Sequence, residues 1–186
     1  LLERVGELFG GIARAADPPK LTVCEPEQRT ERQVTLRQSG GAALVRVAHR
    51  IPAVTHDDLY PLTVAVTILS GASGMGFSGG VGGRTSRLHV ALVRKELASG
   101  AFGVCEAGID PRLFLAGATV RHGVDPARVE AALLAELDRL RSEPPTEQEM
   151  AKALTQLHAS FAYAWDSVTG IGGMVGAAEA TEGYPR

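Results

Sequence analysis

The sequence predicts an α+β domain in which a mixed, largely antiparallel sheet is covered on one face by helices. Strand and helix patterns follow one another as two strands, two helices, two strands and then further helices. No internal repeat is present. Hydrophobic residues make up 45% of the 186 positions, which is enough for the core of one domain.

The first 30 residues predict a short amphipathic helix and an extended linker. Apolar residues recur at helical spacing over 1–12, and two adjacent glycines end the pattern. Three prolines between 18 and 26 then block regular structure. We expect residues 1–30 to be the end of a preceding domain with its linker. Residues 31–186 are expected to form a second domain that is truncated at its C-terminus.

The next segment predicts two strands and a helix. The strands cover 32–37 and 44–51, with a glycine turn between them. In the second strand two sets of residues alternate, so they lie on opposite faces of the sheet. Residues 57–70 fit either a helix or a β-branched strand, and Asp57 as an N-cap favours a helix that runs to Ser70. The two faces of the second strand are Val45, Val47, His49 and Ile51 on one side, and Leu44, Arg46, Ala48 and Arg50 on the other.

The middle of the chain predicts another helix and a second pair of strands. Thr85 or Ser86 can cap the helix, which is expected to reach Ala98, with Gly100 as a stop signal. The strands are expected near 102–109 and 112–120, joined by an Asp-Pro turn.

Three helices are predicted after the last strand. Asp125 caps the first, whose apolar residues at 129, 133, 137 and 140 share one face. Thr146 and Glu149 form a capping box for the second helix. A glycine-rich helix is expected near 168–182. The second helix carries a long apolar stripe: Met150, Leu154, Leu157, Phe161 and Trp165.

Composition excludes several classes of function. The net charge of −2 argues against a nucleic-acid-binding domain and against electrostatic binding to membranes. No run of about 20 apolar residues exists, so no membrane span is expected. Cys24 and Cys105 are too few for a disulfide scaffold. We expect a soluble protein of the cytoplasm or the periplasm.

The histidines do not predict a metal site in this chain. No two of the five lie at the spacing that places both imidazoles on one helix face. None has the neighbouring glutamate of the zinc-protease motifs. We therefore expect no metal ligands and no cofactor within this chain.

The glycine-rich segment 71–83 contains two patterns typical of other enzymes. Residues 74–79 fit the dinucleotide fingerprint, which requires a strand before it and a helix directly after it. Ser78 lies in a pattern typical of the nucleophile elbow of serine hydrolases. Asp110 and His122 follow it in the order of a catalytic triad. A serine hydrolase that uses Ser78 is therefore an alternative function.

Several motifs together resemble the second, non-zinc-binding domain of the insulinase/pitrilysin family of zinc metallopeptidases. Leu69-Ser70-Gly71 resembles the end of that domain's first long helix. Ser86-Arg87-Leu88 and Leu92-Val93-Arg94 resemble its next two signatures. The segment 143–149, EPPTEQE, is similar to the turn and acidic start of a later helix. The order and spacing of these motifs cover nearly the whole chain.

The resemblance implies a metalloprotease-processing-peptidase-like fold and a division of roles between domains. A homologous zinc-binding domain or subunit would supply the zinc, its ligands and the general base. The present domain would complete the chamber that binds a peptide or unfolded protein substrate. An arginine and a tyrosine of such domains reach the substrate, and these positions correspond to Arg94 and Phe102.

The chain departs from the family pattern at the second of these positions. Phe102 has no hydroxyl and cannot donate a hydrogen bond to a developing oxyanion, a loss that typically lowers the rate about 100- to 1000-fold. The spacing between Arg94 and Phe102 is also one residue longer than usual. A non-catalytic structural or assembly subunit of the same fold is therefore a second alternative.

Overall fold

The computed structural model describes residues 1–13, 15–16, 23, 26–72 and 83–181. Its residue contacts divide the chain into two compact units, residues 1–39 and residues 40–186. The predicted domain boundary after residue 30 stays a prediction.

Among the described residues of the first unit there is one helix. Helix α1 spans Leu2–Phe9 and begins the amphipathic pattern predicted for 1–12. The strand predicted over 32–37 is wrong, because this segment has no regular secondary structure. Val34 and Leu36 are 78% and 82% exposed. No neighbour buries its apolar side chains, so alternation alone does not produce a strand here.

The second unit is built on a three-stranded antiparallel sheet. Its strands are β1 Leu44–Ile51, β2 Ala98–Cys105 and β3 Arg112–Val120, arranged in the order β1-β3-β2. Strand β2 begins four residues before the predicted position 102. The α+β class expected from the sequence is confirmed.

The helices of this unit pack on one face of the sheet, which we call the helical face. Phe114, Ala116, Ala118 and Val120 of β3 are buried there with apolar residues from the helices. The residues that alternate with them form the opposite face, which we call the open face. Its members are Leu44, Arg46, Ala48 and Arg50 of β1, Phe102 and Val104 of β2, and Leu113, Leu115, Gly117 and Thr119 of β3.

Helix α2 spans Leu59–Ser70 and packs against β2. The Ser70 hydroxyl donates a hydrogen bond of 2.9 Å to the carbonyl of Gly103, which fixes the end of the helix on the sheet. Asp57 does not cap this helix as predicted. Asp58 occupies the N-cap position, and its side chain makes no capping hydrogen bond.

Helix α3 spans Pro126–Ser142 and confirms the predicted cap and apolar face. The backbone N–H of Ala127 donates to the Asp125 carboxylate at 3.0 Å. Val129 and Leu133 are fully buried in the core. Burying side chains of this size stabilises the fold by about 2 kcal/mol each.

Helices α4 and α5 span Glu147–Trp165 and Val168–Thr181, close to their predicted positions. The capping box of Thr146 and Glu149 is present at the start of α4. The predicted stripe on α4 is largely exposed, since α4 packs on α2 and buries Ala153 instead. Four stripe residues are 37–50% exposed: Met150, Leu154, Phe161 and Trp165. Among the residues described, no helix is long and apolar enough to cross a membrane.

Candidate functional site

Arg94 lies at the end of a short helix, not in the middle of a long one. The helix predicted to reach Ala98 covers only residues 87–93, and its last part, His89–Val93, is π-helical. The N–H of Leu97 then donates to the Leu92 carbonyl at 2.9 Å, and Glu96 adopts a φ of 60°. This left-handed residue reverses the chain into β2. Gly100 therefore lies inside β2 and is not a helix stop.

The capping residue predicted for this helix is also wrong. Ser86 is buried, and its hydroxyl has no hydrogen-bond partner. Thr85 instead accepts a hydrogen bond from the Lys152 ammonium of α4. The side chains at this helix start therefore connect it to α4 and do not cap it.

Phe102 lies in β2 on the open face of the sheet. A β-bulge at Ser99 interrupts the register between β2 and β3, because Ala98 pairs with Val120 while Gly100 pairs with Thr119. The bulge adds one residue between Arg94 and Phe102. It thereby accommodates the extra residue that the sequence shows in this interval.

The structure does not bring Arg94 and Phe102 into contact. Arg94 is exposed just after the π-helical turn, and its guanidinium has no partner among the residues described. Phe102 is the fifth residue of β2, about 13 Å along the strand from its start at Ala98. Phe102 is only half-buried. Both side chains are accessible to a ligand, but they occupy different parts of the surface.

A buried ion pair holds the helix that leads to Arg94. Arg87 Nε donates to Glu149 Oε1 at 2.6 Å, and Arg87 Nη2 donates to Glu149 Oε2 at 2.8 Å. The Arg87 side chain is 6% exposed. Glu149 also accepts from the Thr146 N–H at 2.9 Å as part of the capping box. One carboxylate therefore joins two helix starts that lie 62 residues apart in sequence.

This pair changes the ionisation of both groups. The hydrogen bonds from Arg87 lower the pKa of Glu149 to about 2, from an ordinary value of 4.5. The same bonds raise the pKa of Arg87. Both groups are therefore charged at neutral pH, and the ion pair persists well into the acid range.

Both motifs of this pair are visible in the sequence, but no local pattern connects them. Arg87 belongs to the Ser-Arg-Leu signature, and Glu149 ends the acidic segment at the start of α4. An arginine in an otherwise apolar helix was the available signal, because a buried guanidinium requires an acidic partner.

Ser78 and the dinucleotide pattern at 74–79 lie outside the described residues. The elements around them are described, and the fingerprint requires a strand where the structure has α2. Asp110 and His122 flank the nine-residue strand β3 at opposite ends, about 30 Å apart. They cannot hydrogen-bond to each other, so they do not form the acid–base pair of a triad.

Possible metal ligands and the two cysteines are the remaining groups with metal-binding or nucleophilic chemistry. Within the described ranges, no three histidine, cysteine, aspartate or glutamate side chains are grouped so that they could hold a metal ion. Cys105 is a free, half-buried thiol at the end of β2, and burial raises its pKa. Cys24 lies outside the residues that the structure describes.

Comparison with known proteins identifies the domain. The sequence matches the family described as Peptidase M16 inactive domain over residues 1–157. The chain belongs to this family. The resemblance inferred from its motifs is therefore confirmed. No curated protein gives a significant match to this M16 inactive domain.

Solved structures agree with this family. A candidate zinc protease from Bordetella pertussis Tohama I is 29% identical, with a TM-score of 0.61 over 74% of this chain and 71% of that chain. The inactive peptidase domain of a candidate zinc protease from Bordetella parapertussis is also 29% identical, with a TM-score of 0.63 over 79% of this chain and 74% of that chain.

A more distant structure shares the fold alone. A protease from Helicobacter pylori is 23% identical, with a TM-score of 0.66 over 75% of this chain. The M16 inactive domain spans only 31% of the length of that protease.

Proposed function

We propose that this M16 inactive domain completes a peptide-binding chamber together with a homologous zinc-binding domain or subunit. The family match over residues 1–157 carries the proposal. Zinc, its ligands and the general base would come from the other domain or chain. The substrate class is a peptide or an unfolded protein, which can enter a chamber as an extended segment.

Arg94 is the residue that we propose to contact the peptide backbone. Its guanidinium is exposed, and no described residue pairs with it. Arginine offers five N–H donors in a fixed plane, which suits peptide carbonyl oxygens. The Arg87–Glu149 pair would support this role indirectly, because it anchors the start of the short helix that ends at Arg94.

Binding of a fluorescently labelled, unstructured peptide to this chain tests the role of Arg94. Arg94→Ala should weaken binding about tenfold or more, because hydrogen bonds to charged groups contribute about 1.5 to 3 kcal/mol. Lys95→Ala is the matched control, since Lys95 is the adjacent exposed cation. If Arg94→Ala binds the peptide as tightly as the unmodified chain does, the proposed role of Arg94 is wrong.

A structural or assembly subunit of the same fold is the second candidate function. The aromatic residue Phe102 favours it, because no hydroxyl is available there to stabilise an oxyanion. The exposed stripe on α4 also favours it, since exposed apolar patches commonly mark protein contacts. Under this hypothesis, the chain does not bind the peptide. Sedimentation shows a complex between the chain and a homologous zinc-binding domain, and Trp165→Glu weakens that complex.

A further inference from the structure

We propose that Arg46, Gly117 and Phe102 form a subsite for a peptide segment in which an acidic side chain lies two residues from an apolar one. This inference rests on the proposed function, because it names the kind of peptide that the domain prefers. It concerns the open face of the sheet and is independent of Arg94.

Strand register places the three residues in one row across the sheet. Gly117 of β3 pairs with Arg46 of β1 on one side and with Phe102 of β2 on the other. Directly paired residues of antiparallel strands point to the same face. With strands about 4.8 Å apart, the Cα atoms of Arg46 and Phe102 lie about 10 Å apart.

Gly117 allows the Phe102 ring to lie over the middle strand. A Cβ atom at position 117 would come within 2.8 Å of two Phe102 ring carbons and within 2.9 Å of the Val45 carbonyl oxygen. Only a residue without a side chain fits under the ring at this distance. One side of the ring therefore covers the backbone of β3, while the other side of the half-buried Phe102 remains accessible to an apolar group.

Apolar residues continue this surface beside the ring. Val104 pairs with Leu115 in the next row, and both are half-buried. Leu113 of the following row is 40% exposed. Phe102 is thus at one end of an apolar strip, which favours an aliphatic or aromatic side chain of the ligand.

Arg46 gives the other end of the row a positive charge. It is exposed, and no ion pair involves it among the described residues. Arg50 follows on the same face of the same strand. The acidic residue that continues this face, Glu106, follows β2 two rows away from the Arg46 row. The Arg46 guanidinium, which has no ion-pair partner among the described residues, therefore favours a carboxylate that it can bind through two hydrogen bonds.

The spacing of the row fits an extended peptide. Side chains two residues apart on a strand point the same way and lie about 7 Å apart. The Phe102 ring leans over Gly117 towards β1, so its apolar surface lies closer to the strand of Arg46 than its own Cα atom does. A sequence such as Glu-Ser-Leu would place its carboxylate at Arg46 and its leucine on the ring.

Two labelled, unstructured peptides that differ only in Glu-Ser-Leu against Gln-Ser-Leu test this subsite. The chain should bind the acidic peptide about fivefold more tightly, as expected for an exposed ion pair. Arg46→Glu should remove this preference and should favour a third peptide with Lys-Ser-Leu. Arg128→Glu is the control, because Arg128 is exposed on α3 and the change in charge is identical.

The results also separate this inference from the proposed function. If the three peptides bind equally to the unmodified chain and to Arg46→Glu, the subsite is wrong while peptide binding stands. If Arg128→Glu shifts the preference as strongly as Arg46→Glu does, the effect comes from net charge and the subsite is also wrong. If no peptide binds at all, the proposed function fails and the subsite fails with it.

Discussion

The two faces of the three-stranded sheet differ in how far they are packed. The helical face meets fully buried residues of the helices such as Leu88, Leu92 and Leu133. The open face carries two arginines, Arg46 and Arg50, and partly exposed apolar residues, with Leu44 at 59% and Leu113 at 40% exposure. Alternating residues of the same strands thus serve two purposes: one set stabilises the fold, and the other remains available for a ligand.

Two arginines show this difference most clearly. Arg87 is buried and forms two hydrogen bonds with Glu149, whereas Arg46 is exposed on the open face. Removing one partner of a buried ion pair typically costs about 3 to 5 kcal/mol, because the other charge stays buried without compensation. Arg87→Leu should therefore lower the free energy of unfolding by about 3 kcal/mol, since Glu149 is partly exposed.

Urea unfolding followed by circular dichroism measures this effect, and Arg46→Leu is the matched control. A surface substitution of this kind usually changes stability by less than about 0.5 kcal/mol. Equal losses for the two variants would contradict the distinction between the faces.

Acid should weaken the contact between α4 and the short helix that begins at Arg87, through Glu149. Its pKa in the folded chain is about 2, below the ordinary 4.5, so its ionised form stabilises the fold above pH 4.5. This contribution is lost as the pH falls from 4.5 towards 2. Allowing for its partial exposure, we expect a loss of about 2 kcal/mol from this group.

Unfolding measured at several pH values can isolate this contribution. Glu149→Gln removes the titrating group, so the variant should be less stable than the unmodified chain at pH 6 and close to it near pH 2. A constant difference between the two proteins across this range would show that the carboxylate is not the group responsible.

The contact between Gly117 and the Phe102 ring on the open face should have a smaller effect on stability. Gly117→Ala places a Cβ against the Phe102 ring, while Phe102→Ala removes that ring. The two changes should therefore be coupled by about 1 kcal/mol, as is usual for residues in contact. A double-mutant cycle of unfolding free energies measures the coupling. Strictly additive effects would show that the Phe102 ring does not contact Gly117.

The sequence predicted the helices and the faces of the strands better than the contacts between them. Proline and an acidic cap defined α3, and a capping box defined α4, because these signals act over a few residues. Alternation in β1 placed Arg46 and Arg50 on one face. The residues of β2 that lie in the same rows depended on the register between β2 and β3, which a bulge at Ser99 shifts and which no local pattern encodes.

Two wrong predictions of secondary structure have the same physical origin. The segment 32–37 has a strand pattern but no neighbour that buries its apolar residues. The helix before β2 ends early because Glu96 adopts a left-handed conformation, although nothing in its residue type requires that conformation. In both places long-range packing overrides local preference. The Arg87–Glu149 pair was not predicted for a related reason. Its members are 62 residues apart, so no local pattern connects them.

Methyl-detected NMR during titration with an unstructured Glu-Ser-Leu peptide tests most directly the claim that the open face binds peptides. Signals of Val104, Leu113 and Leu115 report on the open face, while those of Leu88, Leu92 and Leu133 report on the core behind the helical face. We predict saturable shifts in the first group and none in the second. Shifts confined to Leu154 and Leu157 of α4, or no shift in any methyl group, would contradict the claim.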